Sequence, residues 1–276
     1  MIKIITDSSA DLPKELIEQY DITMVPLTVT IGEHDYLEKV DLTPKEFFTK
    51  MFSSDVLPKT SQPSPASFAD AFTKYDSPDN EILCFTISSG LSGTYQSACI
   101  GKELSNAKVT VFDTLAGSLG HGLQIIRAAE LAGQGHTIEE IVEELIAYRD
   151  KMNILVLLDT LENIVKGGRL SKFKGSLAKI LNIKVILERV AGGKVEILEK
   201  IRGKKKFQKR VLNIIQERGS DFSNLTFGIT HTGNVEDAEA IKQELIEQFH
   251  PKAVIISYMG ATMGTYAGKD GMIISF

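Results

Sequence analysis

The segment from Glu81 to Ala98 constrains the fold of this chain more tightly than any other. Ile82 to Ile87 is apolar and β-branched, as a buried strand requires. Four hydroxyls (Ser88, Ser89, Ser92, Thr94) and two glycines (Gly90, Gly93) follow and lead into a helical pattern over Thr94–Leu104. A strand that ends in a Ser/Gly loop and enters a helix aims free backbone N–H groups at one point, a geometry suited to an anion. No lysine follows the glycines, so the loop is not a Walker-type nucleotide loop. Ser92 has three readings: nucleophile, ligand donor or helix cap. The nucleophile fits worst, because Gly90-Leu-Ser-Gly93 lacks the Gly-x-Ser-x-Gly spacing and no histidine stands out as its base. On the residues alone, donor and cap both stay open.

The first half of the chain alternates strand and helix. Strands are expected at Lys3–Thr6, Met24–Thr30, Ile82–Ile87 and Val109–Phe112, with a turn before a Tyr36–Val40 segment. Helices are expected at Pro13–Tyr20, from Thr43, from Pro63 towards Tyr75, and over Thr94–Leu104 and Gly117–Ala132. Thr43 and Glu46 have the capping-box spacing, with Phe47, Phe48 and Met51 on one face behind them. The pattern predicts an α/β unit with a doubly wound, mostly parallel sheet. Asp7, Ser92 and Asp113-Thr114 fall at carboxyl ends of strands and are expected to share one crevice. Asp11 is expected to cap the helix that begins at Pro13, and Asp7 to orient the serine loop.

A long amphipathic helix over Thr137–Asn153 precedes the apolar strand Ile154–Leu158. The pattern then changes to a hairpin (Lys184–Arg189 and Val195–Ile201 about Ala191-Gly-Gly-Lys194), helices at Lys206–Arg218 and Val235–Phe249, and strands at Leu225–His231, Ala253–Tyr258 and Met272–Phe276. That mixture predicts an α+β unit with helices on one face of a mostly antiparallel sheet. The expected units are residues 1–153 and 154–276, a division that suits a chain of 276 residues.

Composition narrows the function classes. Hydrophobic residues make up 43% and charged residues 24%, the balance of a globular protein. A net charge of −5 gives no electrostatic footprint for nucleic acid. The opening Met1-Ile-Lys-Ile-Ile-Thr-Asp7 is too short an apolar run for a signal peptide, and no stretch approaches the roughly 20 apolar residues of a membrane span. A cytoplasmic chain is expected. Cys84 and Cys99 form no CxxC pair or metal spacing and read as small core residues. Asp7 and Asp11 lack further convergent carboxylates, so no metal is expected.

The serine loop has company. Asp7-Ser-Ser-Ala-Asp-Leu-Pro13, Thr60-Ser-Gln-Pro-Ser-Pro65, Gly90-Leu-Ser-Gly93, Gly167-Gly-Arg-Leu-Ser171 and Gly260-Ala-Thr-Met-Gly-Thr-Tyr-Ala-Gly268 occur in this order across the full length. Together they closely resemble the DegV family, whose members are two-domain bacterial proteins that bind one fatty acid between the domains. The resemblance implies the fatty-acid-binding subunit of a bacterial fatty acid kinase, in phospholipid metabolism. Such a subunit has no catalytic residue and no cofactor of its own; it presents the acyl carboxylate to a separate kinase subunit that uses ATP. The alternatives are a self-contained phosphotransferase or hydrolase using the Ser/Gly loop, and a regulatory lipid-binding protein without a kinase partner.

The resemblance also assigns residues. Thr60, then Ser61, with Ser92 and Gly93, would hold the carboxylate, joined by Thr265 and Tyr266 on a ligand-proximal C-terminal loop that keeps Gly264 and Gly268. Relatives commonly have His-x-Gly-Pro-Gly where this chain has Tyr266-Ala-Gly-Lys-Asp270. A tyrosine hydroxyl donates a hydrogen bond but carries no positive charge at neutral pH. Arg169 and Arg202 are expected at the cleft mouth as kinase-docking residues, set apart from the hydroxyl loops. The positive run Lys204-Lys-Lys206 reads either as a solvated helix start or as part of that docking surface. Burying a tail of about 15 methylenes would gain roughly 12 kcal/mol before ordering costs, and neutral donors would leave the carboxylate available for phosphorylation.

Overall fold

A computed structural model describes residues 1–170 and 183–276. Along the first half lie β1 (Ile2–Asp7), α1 (Lys14–Gln19), β2 (Thr23–Val25), β3 (Thr28–Ile31), β4 (His34–Leu37), α2 (Pro44–Phe52), β5 (Lys59–Ser61), α3 (Pro65–Thr73), β6 (Glu81–Thr86), α4 (Thr94–Glu103), β7 (Val109–Asp113), α5 (Leu119–Gly133) and α6 (Ile138–Lys151). β8 (Ile154–Leu158) and α7 (Glu162–Lys166) follow. Then come β9 (Ile183–Val190), β10 (Lys194–Arg202), α8 (Lys204–Arg218), β11 (Thr226–His231), α9 (Val235–Phe249), β12 (Ala253–Tyr258), α10 (Ala261–Ala267) and β13 (Met272–Ser275).

The first sheet has the order β2-β1-β6-β7 and is parallel throughout. Its strands are apolar on both faces, and α3, α4, α5 and α6 supply the covering side chains. The second sheet has the order β10-β9-β8-β13-β11-β12; its pairings are antiparallel except β11 with β12. Period-two alternation assigns its faces. Leu155 and Leu157 pack with Val211, Ile215 and Leu245 under α8 and α9, while Ile154, Val156 and Leu158 point the other way, into a core shared with the first half.

Three expectations change. Met24–Thr30 is not one strand: Pro26, which has no N–H to give a ladder, breaks it. β2 stays in the parallel sheet, whereas β3 joins an antiparallel sheet of order β4-β3-β5. That small sheet carries α2, whose predicted capping box forms (Glu46 N donates to Thr43 Oγ1 at 3.3 Å, Thr43 N to Glu46 Oε2 at 2.8 Å). Phe47, Phe48 and Met51 are buried beneath it.

Asp11 does not cap α1. The N-cap position is Pro13, without a side-chain bond, and Asp11 is fully buried with φ +52°. Its carboxylate instead accepts from Ser118 Oγ and Gly260 N, both at 2.7 Å. The third change is at Gly260–Gly268, a helix (α10) where a loop was expected. Gly264 is there for contact: a Cβ on it would sit 2.3 Å from Cζ of Phe48, so its absence lets α2 press against α10. Cys84 is buried in β6 as expected, while Cys99 on α4 is half-buried.

Candidate functional site

A cavity of about 300 Å³ opens between the parallel sheet, the small sheet and the inner face of the second sheet. Val156, Val195 and Ile273 bring apolar side chains from the second sheet, Leu27 from just before β3 and Ile87 from just after β6. Among the described residues, polar groups on its wall come from β5 and Gln62 after it, the loop before α4, the turn after α7, and α10.

β5 presents Thr60, and α10 presents Tyr266. Thr60 Oγ1 and Tyr266 Oη lie 2.6 Å apart, joining residues 206 positions apart in sequence. Ser61 also lines the cavity. From the loop after β6 come Ser92 and Gly93. Ser92 is not the cap of α4: the N-cap position belongs to Gly93, which has no side chain. Ser92 Oγ lies 2.9 Å from Thr94 Oγ1 and accepts from Thr94 N at 3.3 Å, which leaves hydroxyl capacity towards the cavity.

The loop is braced from behind. Asp7 Oδ2 accepts from Ile87 N at 2.7 Å while Oδ1 accepts from Ser9, and Asp113 Oδ1 accepts from Ser89 N at 3.1 Å. Burial pushes the Asp7 carboxyl above its usual range, against the lowering effect of these hydrogen bonds. Asp7 thus orients the start of the serine loop, but neither it nor Asp113 is among the described residues of the cavity wall.

Arg169 is where its expected separation from the hydroxyl loops fails. Its guanidinium is on the cavity wall, 4.9 Å above the Tyr266 ring, with Nη1 donating to Gly167 O at 2.6 Å and Nε to Leu91 O at 3.4 Å. The two glycines before it explain the fit. A Cβ on Gly167 would strike the Tyr266 ring at 2.3 Å, and Gly168 takes φ +71°, which disfavours other residues. Ser171, which closes that motif, lies outside the described residues. Arg202 ends β10 and is exposed, away from the cavity wall. In the basic run beside it, Lys204 is held by Asp237 at 2.6 Å.

Thr265 is not brought to the cavity. Its hydroxyl donates to Ala261 O at 2.7 Å inside α10, and its carbonyl accepts from Asn163 Nδ2 at 2.9 Å. Sequence reasoning missed Met263 and Thr262, which also face the cavity from α10. Once this stretch is read as a helix, residues 262, 263, 266 and 267 fall on one face by the spacing of three and four.

A parallel sheet and a mixed sheet around an apolar cavity, with hydroxyls gathered on one part of its wall, define a class of α/β proteins. A family profile described as "Uncharacterised protein, DegV family" matches residues 1–276, and this chain belongs to the DegV family. It is 36% identical to a DegV domain-containing protein of Clostridium acetobutylicum, over 100% of this chain and 98% of that one. Among solved structures it resembles a fatty-acid-binding DegV family protein from Thermus thermophilus (30% identity, TM-score 0.92, covering 100% of this chain and 99% of that chain). It also resembles DegV, a fatty acid binding protein from Bacillus subtilis (31% identity, TM-score 0.89, covering 99% and 98%). Among the described residues, no helix is long and apolar enough to cross a membrane.

Proposed function

We propose that this chain binds one long-chain fatty acid in the cavity and presents its carboxylate to a separate ATP-dependent kinase subunit. The observation that carries the reading is the Thr60–Tyr266 pair at 2.6 Å on the wall of an apolar cavity that Ser92 also lines. The fatty acid bound by the Thermus and Bacillus relatives supports it. In this reading Thr60, Ser61, Ser92, Gly93 and Tyr266 hold the head group by hydrogen bonds from neutral donors. A carboxylate held this way keeps its negative charge and a lone pair. One carboxylate oxygen attacks the γ-phosphorus of ATP in the partner's site, the bond to the β-phosphate oxygen breaks, and acyl phosphate and ADP result. The chain acts as a presenting subunit and needs no metal or cofactor of its own.

Protein purified from bacteria and examined by native mass spectrometry should carry a long-chain acid. Thr60→Ala and Ser92→Ala should each weaken its retention about tenfold or more, since a hydrogen bond to a charged group contributes about 1.5–3 kcal/mol. Parent-like affinity in both variants would reject the head-group assignment. ATP-dependent acyl phosphate synthesis by the single chain would reject the presenting role.

Arg202→Ala should slow phosphorylation by the partner kinase with lipid affinity intact, because an exposed charge away from the cavity acts on encounter and is screened by salt. Arg169→Ala should lower both, given its place on the cavity wall. A salt series on affinity and phosphorylation rate separates the two arginines; equal behaviour would deny them distinct positions.

A further inference from the structure

We propose that Glu38 is a positioning residue whose buried carboxylate fastens α10 to the small sheet and thereby sets the Thr60–Tyr266 pair. Its functional meaning rests on the lipid reading above; its geometry does not.

Glu38 follows β4 and is 1% exposed. Its Oε1 accepts from Thr262 N at 2.8 Å, and its Oε2 accepts from Thr262 Oγ1 at 2.7 Å and Ser8 Oγ at 2.5 Å. Its own N–H donates to Leu27 O at 2.9 Å. One side chain therefore joins the small sheet, the turn after β1 and the first turn of α10. A full turn further along α10, Tyr266 meets Thr60 on β5. β4 and β5 both pair with β3, so α10 and the small sheet are tied at two points, Glu38–Thr262 and Thr60–Tyr266. Loss of the first tie frees the first turn of α10 from the small sheet and leaves Tyr266 as its side-chain link to β5, with Asp11, Asn163 and Phe48 still bracing the helix.

The charge is needed as well as the shape. A neutral amide in its place would turn one acceptor into a donor facing Ser8 Oγ, which already accepts from Leu27 N at 2.9 Å. The Ser8 and Thr262 hydroxyl protons would then have no acceptor there, among side chains that are almost wholly buried. Asp11 does parallel work beside it, holding Gly260 N, while Lys39 donates to Ser8 O at 2.8 Å and lies 3.3 Å from Asp11.

The test has two arms. In ligand-free full-length protein, Glu38→Gln should raise amide hydrogen exchange across α10 and β5 about tenfold or more, with β6 and β11 unchanged. In a double-mutant cycle on palmitate affinity, Glu38→Gln should cost about tenfold in the parent and less than about twofold in a Tyr266→Phe background, because residues acting through one contact are not additive. Unchanged exchange at α10, or full additivity in the cycle, overturns the proposal. Should the parent bind no palmitate, the lipid reading falls and the exchange arm alone decides the positioning role. If Glu38→Gln fails to fold, Glu38→Asp, with the same charge on a shorter arm, enters both arms with the same expectations.

Discussion

Val156→Phe should abolish retention of palmitate while octanoate still binds. Val156 is on β8, in the middle of the second sheet, and its side chain is on the cavity wall. A benzyl group placed there has space to enter, so the fold avoids the usual cost of overpacking. Under the proposed function, the ring would occupy volume that the acyl tail needs, in a cavity of about 300 Å³. Displacing about four methylenes at about 0.8 kcal/mol each removes roughly 3 kcal/mol, a loss in affinity of a hundredfold or more. Competition between palmitate and octanoate for the purified variant, beside its thermal melt, measures this. Parent-like palmitate affinity in a folded variant would place the tail elsewhere.

His121→Gln should gain about 2 kcal/mol of stability relative to the parent between pH 7 and pH 5. His121 is fully buried on α5, with Nε2 2.9 Å from Thr6 Oγ1. Burial, helped by the Lys39 charge and opposed by Asp113, pushes its imidazole down to about 3. The unfolded chain takes up that proton near pH 6.5, so the contribution to stability is full above 6.5 and is lost as pH falls towards 3. Asp11 works in the opposite sense. Burial pushes its carboxyl up to about 6, against the lowering effect of Lys39. Its contribution is therefore full below the unfolded carboxyl value near 4 and is lost as pH rises through 6. Asp7, also raised by burial, has the same sign as Asp11. Because other groups also titrate in this range, the difference between parent and variant, rather than the parent's own profile, isolates the histidine. Parallel denaturation profiles for the two proteins at pH 7 and pH 5 would refute it.

Elements whose signals are local were legible in the sequence. The capping box at Thr43 and Glu46, the strand Ile154–Leu158 and the helix Val235–Phe249 stand where residue spacing puts them. Elements that exist because of a distant neighbour were not. β5 is three residues of Lys-Thr-Ser with no apolar period, and becomes a strand only by pairing with β3. α10 carries a glycine that lowers helix propensity but admits Phe48, a contact fixed by tertiary packing. Glu38 sits between Leu37 and Lys39, where nothing local distinguishes a buried carboxylate from a solvated one. In the cavity wall, Thr60 and Tyr266 came from motif resemblance, since no periodicity relates positions so far apart, while the Ser/Gly loop left Ser92 open as donor or cap until the resemblance favoured the donor. The same resemblance misplaced Thr265, whose hydroxyl is consumed by its own helix.

The Thr60–Tyr266 contact has a consequence for the protein's life on the ribosome. Synthesis delivers Thr60 and Ser92 long before Tyr266, so the growing chain owns only part of the pocket while its parallel sheet is already able to assemble. Under the proposed function, the nascent chain cannot close on a lipid until α10 has emerged. In that reading, occupancy by a fatty acid would report that translation has run through α10 and that its contact with β5 has formed.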